Sequence, residues 1–157
     1  MTNSRPPRTA AESLVQMTEI VLPEDSNPRG SIFGGRVLAL IDKCAAIVGM
    51  RHAQSEAVTV SLDSVVFVNT VRVGNVLVLC GRINAAFGSS MEVEVQVHAE
   101  DPATGDRKLT TTALVTMVAV DDHGRPHQVP SLEPTDDEER RRAADAADRR
   151  RRRLQAR

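Results

Sequence analysis

From Phe33 to about Arg51 the chain reads as one long helix with apolar residues almost all the way round, broken by Asp42 and Lys43. Val37, Leu38, Leu40, Ile41, Cys44, Ala45, Ala46, Ile47, Val48 and Met50 leave little polar surface. A helix with so narrow a wet face must be enclosed. Whatever else this chain builds has to supply the enclosure.

The flanking sequence can do so. Ser31 is positioned to cap the helix, and Leu14 to Leu22, closed by Pro23, reads as a short strand. After the helix come Val58 to Val68, rich in β-branched residues, and Val76 to Ile83, introduced by a Gly74-Asn75 turn. Met91 to His98 alternates apolar and polar with period two, which predicts a sheet with one wet face. A turn over 101–106 then returns the chain as Lys108 to Val120. Strand, long helix and four strands on short turns predict an α+β domain, an antiparallel sheet curled around a single helix. Such a sheet covers only part of the helix and leaves two edges, so a second copy of the chain is expected to pair with it.

A chain of 157 residues with 41% hydrophobic content suits one core. Residues 1–13, polar and carrying Pro6-Pro7, read as a disordered arm; 14–134 form the domain; 135–157 read as an exposed polar helix or a disordered tail. The net charge of −1 divides into +3 on that Arg-rich tail and −4 on the rest, which gives the chain as a whole no attraction for nucleic acid or membrane. The run Arg149 to Arg153 reads as a solvated surface. An aromatic content of 2%, all Phe, denies single-stranded nucleic acid a stacking platform. No apolar run follows the basic N-terminus as in a signal peptide, and the apolar stretch Val37–Met50 is too short to span a bilayer. Cys44 and Cys80, each in an apolar segment, read as free buried thiols. The expected setting is cytoplasmic.

Two features can carry chemistry. Asp42 sits amid apolar residues, where a carboxylate is costly unless it is paired or put to use; the plain alternative is that Asp42 and Lys43 mark a narrow solvent stripe. Asn27-Pro28-Arg29-Gly30-Ser31-Ile32-Phe33-Gly34-Gly35 puts glycines at a helix start, whose free N–H groups can receive an oxyanion. The alternative is a tight helix entry with an Asx turn at Asn27. No G-x-S-x-G elbow, H-E-x-x-H motif or zinc-spaced cysteine pair is present, and no metal is expected.

The Asn27–Gly35 segment, followed fifteen residues after Asn27 by Asp42, resembles the signature of hotdog-fold acyl-CoA hydrolases, in the branch of the YciA-like enzymes and brain acyl-CoA hydrolase. Thr59 to Phe67, Gly88 to Val93 and Thr112 to Asp121 extend the likeness, which runs from about Met17 to Pro130. The resemblance implies hydrolysis of an acyl-CoA thioester to a free acid and CoA, with CoA as part of the substrate and no further cofactor. Asp42 would serve as general base or nucleophile. Asn27 would orient water or the thioester, and the Gly34-Gly35 backbone would receive the carbonyl oxygen. The turn Gly88-Ser89-Ser90 would lie near the coenzyme, with Arg29, Arg72, Arg82 and Lys108 all open as phosphate partners. Asn27 and Asp42 of one site would come from different subunits of a homodimer, which in this family often assembles further into a hexamer, a trimer of dimers. Asn75, Thr70 and Ser89 depart from the usual family residues in turns, which puts coenzyme affinity in question more than chemistry. Other hotdog activities are a dehydratase, which would want a His that the helix start lacks, or a non-catalytic acyl-CoA binder.

Overall fold

The computed structural model describes residues 5–157. Five strands, β1 (Val15–Ile20), β2 (Glu56–Phe67), β3 (Val76–Phe87), β4 (Ser90–Glu100) and β5 (Arg107–Val120), form one antiparallel sheet in the order β1-β3-β4-β5-β2. The helix α1 (Gly34–Ala53) lies in its concave face. Val37, Leu40, Ile41, Cys44, Ala45 and Val48 are buried against the inward residues of the strands, among them Leu79, Ile83, Val93, Val95, Val115 and Met117. Each such aliphatic side chain contributes about 1.5–3 kcal/mol on leaving water. The helix approaches β3 so closely that a Cβ on Gly81 would stand 2.8 Å from both Cys44 Sγ and Val48 Cγ2.

The helix begins differently from the sequence reading. Phe33, not Ser31, occupies the N-cap and no side chain caps it; the Ser31 hydroxyl is instead bonded to Asn27. At the far end Gln54 closes the helix in a left-handed conformation, φ 54°, its N–H donating to Met50 O.

The expected disordered arm is packed from Arg5 onward, while residues 1–4 lie outside the described residues. Arg5 donates to Ala53 O at 2.7 Å, the Arg8 backbone pairs with 131–133, and Ala10–Ser13 forms a 3-10 turn with Ala10 and Ser13 buried. Buried His52 anchors this corner through Nε2 to Pro130 O at 2.8 Å. The polar composition of the arm hid the fact that its groups are satisfied by α1 and by the 128–133 segment.

The tail forms helix α2 (Asp137–Gln155), and it is not free in solvent. Asp136 caps it by accepting from Glu139 N at 2.7 Å, and its acidic first turn and basic last turn suit the helix dipole. It lies on the convex face of the sheet through ion pairs: Arg82–Glu139 at 2.7 Å, Arg142–Glu94 at 2.9 Å, Arg149–Glu92 at 2.6 Å and Arg153–Asp63 at 3.6 Å. Ala146 is fully buried beneath it. The face read as wet from the alternation in β4 is thus covered, and Glu92 and Asn84 are buried and bonded to each other at 3.0 Å. Among the described residues no helix is long and apolar enough to cross a membrane. Cys44 is buried and Cys80 half-buried, both free.

Candidate active site

Asp42 projects from the third turn of α1 on the side the sheet leaves open. It is exposed, as is Lys43, so within one chain the pair does form the solvent stripe of the plainer reading. The stripe has apolar walls, however: Asp42 lines an open groove with Gly35, Leu38, Ala39, Leu62, Val65 and Phe67. The Thr59 hydroxyl donates to Asp42 Oδ1 at 2.5 Å, holding the carboxylate against β2 and leaving Oδ2 uncommitted. Thr59 had no role in the sequence reading beyond marking a strand. Val58 and Val60 on either side of it are exposed on the other face of β2, and alternation along the strand turns Thr59 toward the helix.

Gly35 lines the Asp42 groove and Gly34 the pocket next to it. As the first residues of α1 their N–H groups have no intrahelical acceptor and carry the positive end of the helix dipole. Phe67 stands between the two pockets, and a Cβ on Gly34 would meet its ring at 3.6 Å.

Asn27 lies in the loop before α1. Its side chain organises its own loop, accepting from Arg29 N at 2.9 Å and Ser31 N at 3.3 Å and donating to Ser31 Oγ at 2.9 Å. It lines none of the pockets that Asp42 lines. The turn Gly88-Ser89-Ser90 joins β3 to β4, with Gly88 at φ 56° and its carbonyl accepting from Val129 N at 2.8 Å; no residue of it reaches the Asp42 groove. One chain therefore brings Gly35 to the Asp42 groove and Gly34 to the adjoining pocket, while Asn27 and the 88–90 turn line neither. Burial pushes the Cys44 thiol up to about 11, a neutral core group.

The thioesterase superfamily pattern matches residues 29–105, and the uncharacterized acyl-CoA thioester hydrolase YkhA of Bacillus subtilis (strain 168) is 39% identical over 127 residues, 81% of this chain and 74% of that one. The chain belongs to the thioesterase superfamily. The chain spans about a third or less of the mammalian relatives it matches. Among solved structures, an apo-hexameric acyl-CoA thioesterase superposes with a TM-score of 0.92 at 43% identity, covering 97% of both chains. An acyl-CoA hydrolase of Staphylococcus aureus, in complex with butyryl coenzyme A and coenzyme A, superposes with a TM-score of 0.88 at 36% identity over 96% of this chain and 92% of that one. That hydrolase has also been solved with an aspartate, a threonine and an asparagine each replaced by alanine. The hotdog architecture expected from the sequence is the one these thioesterases share.

Proposed function

We infer that this chain hydrolyses acyl-CoA thioesters to free acid and CoA, with Asp42 as the reacting carboxylate. The observation that carries the reading is the Asp42 groove: a carboxylate fixed through one oxygen by Thr59, walled by apolar side chains, in a groove that also takes in Gly35 at the helix start. The fixed carboxylate takes the proton of a water that attacks the thioester carbon, or attacks that carbon itself. Charge then develops on the carbonyl oxygen, where the free N–H groups of Gly34 and Gly35 can receive it. The CoA thiolate leaves and is protonated. The three residues replaced in the Staphylococcus aureus enzyme are spaced fifteen and seventeen positions apart, as are Asn27, Asp42 and Thr59.

Asn27 enters the site from a second copy of the chain. β2 is an edge strand, and Val58, Val60, Val66, Phe67 and Val68 along it are exposed, as are Leu38 and Met50 on α1. An apolar edge of this length calls for a partner. Pairing β2 with its own copy about a two-fold axis is antiparallel, so the Phe67 end of one strand meets the Glu56 end of the other. The 88–90 turn lies at the Glu56 end, because Ser90 pairs with Val118 and Val118 with Val58. The same pairing supports a role for Gly88, Ser89 and Ser90 in holding the coenzyme across the interface. Such dimers are the unit from which a hexamer is built, the state named for the superposing thioesterase. Release of thiol from a panel of acyl-CoA chain lengths tests the activity. Turnover by the wild type that Asp42→Asn abolishes supports it, and absence of turnover across the panel refutes it.

A further inference from the structure

Helix α2 crosses the back of the sheet on ion pairs that fall on different strands. Glu139 meets Arg82 on β3, and Arg142 and Arg149 meet Glu94 and Glu92 on β4. Among the ion pairs of the described residues only Arg153, in the last turn of α2, reaches β2, where it stands 3.6 Å from Asp63. Arg149 and Arg153 lie four positions apart, so the arginine run read as solvated turns one side to the sheet. Arg82, Glu94, Leu114 and Asp63 form one register row across β3, β4, β5 and β2, and their side chains share the convex face. The Asp63 carboxylate also accepts from the Ser61 hydroxyl at 3.5 Å.

The stretch of β2 that Asp63 and Ser61 occupy is irregular. Its register with β5 shifts twice, between Thr59 and Ser61 and between Asp63 and Val66, and Val60, Ser64 and Val65 are skipped. Ser64 adopts φ 54°, a left-handed conformation that a residue with a Cβ keeps only where its surroundings impose it. β2 is an edge strand, so within the chain β5 supports it from one side alone. Bulges of this kind re-aim side chains. The concave face of the same stretch carries the site: Thr59 donates to Asp42 at 2.5 Å, and Leu62 and Val65 line the Asp42 groove. The ties to α2 and the walls of the groove thus alternate along one bulged segment, on its opposite faces.

We propose that Arg153 is a positioning residue for the Asp42 site. Acting through Asp63, and through Asp63 on Ser61, it braces the bulged stretch of β2 from behind, so that Thr59 meets the Asp42 carboxylate and Leu62 and Val65 keep their places in the groove wall. Arg142 supplies the comparison. It makes an ion pair of the same kind to Glu94 at 2.9 Å, but on β4, which contributes no residue to the groove. Loss of either arginine loosens α2, and only loss of Arg153 reaches Thr59. The effect on turnover rests on the hydrolase reading above, whereas the brace itself does not.

The test is a double-mutant cycle in the full chain, read as kcat on a short acyl-CoA. Arg153→Ala lowers kcat about two- to fivefold, the scale of a partly exposed ion pair, and Arg153→Lys restores most of it. Arg142→Ala lowers Tm at least as far and leaves kcat at the wild-type value. In the Thr59→Ala background Arg153→Ala costs no further kcat, because the contact that it aligns is already gone. Unchanged kcat in Arg153→Ala, an equal loss in Arg142→Ala, or full multiplication of the Arg153 and Thr59 losses overturns the proposal. Native mass spectrometry should find the same assembly in Arg153→Ala as in the wild type; a broken assembly assigns the ion pair to association and overturns it too. If the wild type hydrolyses no acyl-CoA, the hydrolase reading fails, and amide hydrogen exchange decides the brace. Exchange over residues 59–66 should then quicken in Arg153→Ala and not in Arg142→Ala, and protection equal to wild type in Arg153→Ala refutes it.

Discussion

Asp42 has one oxygen tied to Thr59 and lines an open groove, and its consequences are local. Asp42→Asn preserves shape and removes the base or nucleophile, so kcat should fall by roughly two to four orders of magnitude while Tm stays near wild type. Thr59→Ala unfastens the carboxylate without deleting it. The loss of a bond to a charged group predicts a drop of about ten- to hundredfold in kcat, and a variant with full turnover would show that Thr59 does not position Asp42. Gly81→Ala sets a methyl into space held by Cys44 and Val48, and thermal unfolding should register about 1–3 kcal/mol of destabilisation. Asp42 was legible because a carboxylate interrupting an apolar helix is conspicuous. Thr59 was not, since a threonine in a β-branched strand is ordinary until its partner is known.

At the scale of elements, periodicity located the helix and the five strands, and the structure moves their ends by a few residues. Composition misled at both termini. Polar segments read as solvated when their partners are unknown, yet the arm is satisfied by α1 and α2 is satisfied by Glu92, Glu94 and Asp63. A chain truncated after Pro134 should therefore lose Tm clearly, because it leaves Glu92 on a face stripped of its partner Arg149. Unchanged Tm would mean that the helix only rests on the sheet. His52 gives the arm a pH dependence. Burial lowers its pKa below the ordinary histidine value, against the opposing pull of its bond to Pro130, and Arg8 and Arg5 lower it further. The unfolded chain then binds a proton that the folded chain refuses, so stability falls as pH drops through the ordinary histidine range near 6.5. His52→Gln should flatten that part of the stability–pH curve, as read by denaturant midpoints between pH 5 and 8.

At the scale of the whole molecule the proposed site is shared between two copies of the chain. Apolar side chains are exposed on the open side of α1 and along the edge strand β2, and Asn27 is not among the residues that line the Asp42 groove. The sequence raised the expectation of a partner, because one curled sheet cannot surround an all-round apolar helix. Which strands form the edges was not legible, because that depends on the strand order, which puts β1 and β2 at the two ends of the sheet. The most direct measurement prepares Asn27→Ala and Asp42→Asn as separate inactive proteins, unfolds and refolds them as an equal mixture, and assays thiol release, with mixed dimers verified by native mass spectrometry. Half the dimers are then mixed, and in each of these one site collects both defects and the other neither. The account predicts return of about a quarter of wild-type activity. Mixed dimers that stay at the single-variant background would place both residues of each site on one chain and contradict it.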